Sequence, residues 1–165
     1  MAGAFTNVGA DVTATHTSPQ FALGSWHFAD GGKIYLYIQA NGAITGDGYV
    51  VSWEHDFDAT MTDTDTAATV AEGRWVGVVE TDFADNEYGW AQVYGPCGIR
   101  SEQDALPDAK LYATADAGQV DDAPAVGKYI HGMHFGTATG GADAVNTTGW
   151  LNFPSVEIQM EPETT

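Results

Sequence analysis

Basic residues are nearly missing from this sequence. Lys and Arg number 5 among 165 residues, against 23 Asp and Glu, for a formal net charge of −18. Lys33, Arg74, Arg100, Lys110 and Lys128 are scattered, so no basic patch can neutralise phosphates. Nucleic acid and anionic membrane surfaces are therefore not expected partners. Cysteine is almost as scarce. Cys97 stands alone in GPCG, cannot close an intrachain disulfide, and has no neighbouring base to activate it, so a structural thiol is expected. No apolar run is long enough to span a bilayer. The opening MAGAFTNVGADVTATH has no basic region followed by an apolar core, so it does not read as a secretory signal, and synthesis in a cytoplasm is expected. Catalytic signatures are also missing: there is no GxSxG, no phosphate-cradling Gly-rich loop and no zinc-protease motif, and Ser25 with nearby His27 forms no triad pattern.

What the chain does contain is apolar, aromatic and turn-rich. A hydrophobic content of 44% is enough for a packed core, and its length suits one domain. Aromatics at 12% with 20 glycines favour strands and turns over helices. The acidity reads as solubility in a salty medium or as attraction to a basic partner.

Residues 1–20, rich in Ala, Thr, Gly and Asn with isolated Phe5, Val8 and Val12, read as an extended arm, frayed or ordered by lying on a partner. Asp30-Gly31-Gly32 marks a turn before the clearest strand, KIYLYIQ. There Ile34, Leu36 and Ile38 form an inward face, while Tyr35 and Tyr37 are expected on a half-exposed or partner-facing side. Asn41-Gly42 predicts a hairpin returning through AITGDGYVVSW. Residues 54–72 carry six carboxylates among threonines and read as a surface loop. Trp75–Val79 and Gly89–Tyr94 predict a second hairpin, with Trp90, Gln92 and Tyr94 on one face and Ala91 and Val93 on the other. Gly95, Pro96 and Gly98 are expected to end that strand. A strand-turn-strand around Ala117-Gly118, a strand over Gly127–Phe135, a flexible GTATGGADAVNTT connection and a closing strand WLNFPSVEIQM follow, with an edge or bulge at Pro154. The expected fold is all-β, a small antiparallel barrel or sandwich over residues 21–158, with the arm before it and a charged tail at 159–165.

Several patterns carry a chemical reading and a plainer one. His131 and His134 have HxxH spacing, but positions three apart on a strand face opposite ways, so no shared metal is expected. Asp56, Asp58, Asp63 and Asp65 cluster without the glycine and distal glutamate of a calcium loop, and a solvated loop is the plainer reading. Asn146-Thr147-Thr148 matches a glycosylation acceptor, a match frequent by chance. Trp26, Trp53, Trp75, Trp90 and Trp150 are numerous enough for a sugar-stacking platform, although tryptophans in a small β-domain more often serve as core and interface anchors. Acid pairs for glycoside hydrolysis are too abundant to be informative. No enzyme activity, metal or cofactor is expected.

In order, DGGKIYLYIQANG, GVVETDF, GWAQVYGPCGI and KLYATADAGQVDD resemble a pattern in small β-rich head proteins of tailed bacteriophages, the capsid decoration or cement proteins. A GW-x-QV-x-G strand (Gly89 to Gly95) precedes an L-x-A-T-x-x-AG strand and turn (Leu111 to Gly118), and the likeness spans roughly residues 30–135. The resemblance implies a non-enzymatic virion protein on the outer surface of an assembled capsid, made in the bacterial cytoplasm. It would bind the major capsid protein and act as a homo-oligomer, often a trimer. The resemblance carries no functional residue over to this chain; the contact residues expected from the arm and from the outward aromatic faces are Phe5 and Val8, and Tyr35, Tyr37, Trp90 and Tyr94. The alternative is a carbohydrate- or receptor-binding β-module displayed on a virion or secreted.

Overall fold

The structure, a computed structural model, describes residues 9–65, 74–124, 129–141 and 145–156. Its ten strands are β1 (Trp26–Ala29), β2 (Lys33–Ala40), β3 (Tyr49–Trp53), β4 (Asp58–Met61), β5 (Trp75–Val79), β6 (Tyr88–Ser101), β7 (Leu111–Ala113), β8 (Val120–Asp121), β9 (Tyr129–Phe135) and β10 (Val145–Val156). They form one mostly antiparallel sheet that closes on itself, and the all-β expectation holds.

Closure comes from two rings that share β6. One ring runs β2-β4-β3-β5-β6 and returns to β2; the other runs β6-β8-β7-β9-β10 and returns to β6. The first half of β6 pairs with β2 (Tyr37↔Trp90, Ile38↔Gly89), and its second half pairs with β10 (Gly98↔Thr148, Ile99↔Thr147). Two cores result. Leu36, Ile38, Val51, Trp53, Val79, Ala91 and Val93 fill the first, and Ile99, Leu111, Ile130, Phe135 and Leu151 fill the second, together with Val50 of β3 and Val76 and Val78 of β5, whose other face packs there. The alternation read from the sequence thus placed the inward residues of β2 and the early part of β6 correctly.

The glycines and proline expected to end β6 instead bend it. Gly95 (φ +96) turns the strand from one ring into the other, and Pro96 still pairs with Trp150. The buried Gln92 pins the bend, its Nε2 donating to the carbonyls of Tyr94 and Pro96 at 3.0 Å each. The expected hairpin of β2 with β3 does not form. Instead β4, from the segment read as a loop, inserts between them, parallel to β2 (Gln39↔Asp58, Ala40↔Ala59) and antiparallel to β3. Asn41-Gly42 does turn the chain, but the returning segment is held by Ile44 pairing with Phe83. The β5–β6 and β7–β8 antiparallel pairings appear as expected. The bulge expected near Pro154 is also present, as a register shift between Leu151 and Ser155. β10 starts at Val145, so the Asn146-Thr147-Thr148 run is strand rather than flexible connection.

Candidate functional site: an exposed aromatic strip and an arm that straps the sheet

Phe5 and Val8 lie outside the described residues. The arm that follows them lies on its own chain. Ala10, Val12 and Phe21 pack on a buried cluster of Tyr35, Tyr37 and Trp90. His16 and Tyr88 exchange two backbone hydrogen bonds of 2.8 Å, the Gln20 N–H donates to the Tyr37 hydroxyl at 3.2 Å, and the Phe21 ring sits 5.3 Å from Tyr37 and 5.2 Å from Trp90. This corrects the outward placement expected for Tyr35, Tyr37 and Trp90. They do share the face opposite the core of the first ring, but Tyr35 is closed over beside Glu80 while Tyr37 and Trp90 lie under the arm, leaving them 2%, 0% and 0% exposed. Period-two patterning tells which way a side chain points, not what lies over it.

The outward aromatics are a different set. The Trp75 ring meets Trp26 at 6.5 Å, Trp26 meets Phe153 at 5.9 Å, Phe153 meets Tyr94 at 5.2 Å, and Tyr94 meets Trp150 at 5.9 Å. Trp75, Phe153 and Trp150 are 50%, 46% and 39% exposed, while Trp26 and Tyr94 are half-buried. Strands β5, β1, β10 and β6 each contribute, so residues more than seventy positions apart form one strip. Phe153 holds its place at a cost: its φ of +48 is a conformation that bulky side chains rarely adopt, and it lies within the bulge of β10. Bulges re-aim side chains, and here the ring fills the gap between Trp26 and Tyr94.

The strip's electrostatic setting is distinct from the rest of the protein. Strands β1, β5, β6, β9 and β10 contain no Asp or Glu, so the carboxylates are concentrated in the loops. Next to Trp75, Arg74 donates to Glu54 at 2.9 Å and so is balanced by a carboxylate. Beyond Trp150, whose cross-strand partner is His134, lies an open cleft of about 320 Å³ whose lining includes Asp108, Lys110, Tyr129 and His134. Exposed aromatics in contact on a largely uncharged face make a binding surface, with stacking available along its length and hydrogen bonding at one end.

The five tryptophans therefore divide. Trp53 and Trp90 are fully buried core residues, whereas Trp26, Trp75 and Trp150 build the strip. Of the expected contact residues among the described ones, Tyr94 alone belongs to it; Trp26, Trp75 and Trp150 stand among the five tryptophans weighed as a sugar-stacking platform, and Phe153 carries no such signal in the sequence. The isolated Trp-rich β-strands were the available signal; their convergence is a tertiary fact. Of the acidic residues, Asp56 and Asp63 accept backbone N–H groups two residues on (Asp58 at 3.2 Å, Asp65 at 2.9 Å) and act as turn caps. Among the described residues there is no cluster of three His, Cys, Asp or Glu placed to hold a metal ion. Asn146 is engaged too: its amide donates to the Asp47 carboxylate at 2.7 Å and carbonyl at 3.1 Å. Cys97 is buried, and burial pushes its thiol up to about 12, so it is inert at neutral pH. No protein-family model, curated protein or solved structure matches the chain.

Proposed function

We propose that this chain is a non-enzymatic decoration protein of a tailed-phage capsid. It is made in the bacterial cytoplasm, binds the major capsid protein on the outer surface of the assembled head as a homotrimer, and stabilises that shell. The support is the sequence pattern over residues 30–135 together with one structural observation, the strap. The arm from Gly9 to Phe21 is anchored by the His16–Tyr88 pair and by Phe21 on Tyr37 and Trp90. The point from which residues 1–8 continue is therefore set on a closed barrel. A short apolar segment rooted on a stable body, in several copies, lets weak contacts add, because each contact after the first is effectively intramolecular.

The test is cosedimentation with mature, undecorated heads, with unexpanded proheads as control. The wild-type chain is expected to bind mature heads saturably, and a Phe5→Ser/Val8→Ser double variant to bind at least about tenfold more weakly with unchanged circular dichroism. Absence of wild-type binding to either particle would sink the reading. Deleting the whole arm is not a clean test, because residues 10–21 cover Tyr37 and Trp90.

A further inference from the structure

We propose that the strip Trp75–Trp26–Phe153–Tyr94–Trp150 is a binding track for a neutral, unbranched glycan chain. This is a second function, separate from capsid docking through the arm. Charge selects the occupant. A net charge of −18 repels anionic polymers, including nucleic acids and sulfated or uronic-acid glycans. A cationic partner would be drawn to the carboxylates, which are in the loops and not on the strands that carry the strip. What remains is a ligand held by stacking and hydrogen bonding without charge. Sugars offer both, with C–H faces for the rings and hydroxyls for polar side chains.

The geometry points the same way. Successive rings along the strip are inclined by 64°, 63°, 31° and 76°, so they share no common plane. A flat array would suit a crystalline sugar surface, whereas rings that change direction suit a single twisting chain. Polar groups accompany the track. Asn152, exposed, is the cross-strand partner of Tyr94, and Thr148 is exposed one alternation before Trp150. At the Trp150 end, the cleft beside His134 offers Asp108 and Lys110 as acceptor and donor for hydroxyls. The strained Phe153 backbone fits this role, since it keeps in the track a ring that the fold's core does not use.

The probes are hexasaccharides of β-1,4-glucose, β-1,4-N-acetylglucosamine, β-1,3-glucose and α-1,4-glucose, with heparin and alginate hexasaccharides as anionic controls. Binding is read by calorimetry and tryptophan emission. The expected result is saturable binding of at least one neutral chain, none of the anionic ones, and a loss of about tenfold in affinity for each of Trp75→Ala, Trp150→Ala and Phe153→Ser. All three side chains are substantially exposed, so the variants retain the core, and circular dichroism checks this. The proposal is overturned if no neutral chain binds, if anionic chains bind equally, or if the three variants leave sugar affinity unchanged. Loss of head binding in these variants without sugar binding by the wild type would assign the strip to the capsid contact instead. Head cosedimentation of the wild type decides the decoration reading independently of this result.

Discussion

The buried phenol of Tyr35 donates a 2.8 Å hydrogen bond to Glu80, which also accepts one from the Lys33 ammonium at 3.1 Å. Burial first, and the Glu80 carboxylate second, push the Tyr35 phenol well above its ordinary value. Burial raises the Cys97 thiol to about 12, against a smaller lowering by Lys33. Both groups are held neutral by the fold, so their folded values exceed their unfolded ones. Their contribution is complete below about pH 9 and is lost as pH climbs toward 12 and beyond. Unfolding free energies from urea titrations at pH 8 and pH 11 are expected to differ by a few kcal/mol, with a shallower fall for Tyr35→Phe. Equal slopes for the two proteins would remove Tyr35 from the account. In the same experiment Cys97 should resist a thiol reagent at pH 8 until the chain unfolds.

The bend in β6 depends on Gln92. Replacing it with Leu removes two 3.0 Å hydrogen bonds and leaves the Tyr94 and Pro96 carbonyls without that donor, at a cost of about 1–3 kcal/mol. Gly95→Ala acts on the same bend. Its φ is +96 and a Cβ would come 2.6 Å from the Gly32 carbonyl oxygen, so the expected loss is at least as large. Chemical denaturation measures both, and stability within experimental error of wild type for either would show that the two rings do not need this joint.

Gly98 and Asn146 form a pair whose substitutions should not add. A Cβ at Gly98 would collide with the Asn146 amide, which is held in place by Asp47. Gly98→Ala is expected to cost about 2 kcal/mol alone and markedly less in an Asn146→Ala background. Additive costs in the double-mutant cycle would mean that the amide is not the obstacle.

Phe21 is the keystone of the strap. Phe21→Ala deletes the ring that packs on Tyr37 and Trp90 and should cost about 3 kcal/mol. It should also admit acrylamide to the Trp90 indole, which is fully buried in the wild type. Unchanged quenching would show that Trp90 is shielded without the arm.

The sequence by itself determined the local things. Scarce basic residues set the charge, alternation set which side chains of β2 and β6 face the core, and Gly, Asn and Pro marked most of the turns and the β10 bulge. These follow from one strand's own chemistry, because side-chain direction repeats every two residues whatever lies beyond. Tertiary structure decided pairing and cover. The Asn41-Gly42 turn was legible, but the parallel insertion of β4 was not, since a turn signal carries no information about a strand seventeen residues further on. Gly95 and Pro96 read as a stop and proved to be a bend, because Gln92 and β10 supply the hydrogen bonds that keep the strand going. The five tryptophans sit in similar local settings. Burial under an arm or across a barrel placed Trp90 and Trp53 inside, and the meeting of four distant strands left Trp26, Trp75 and Trp150 in one strip at the surface. Exposure is a property of what covers a face, and cover is supplied by contacts far away along the chain.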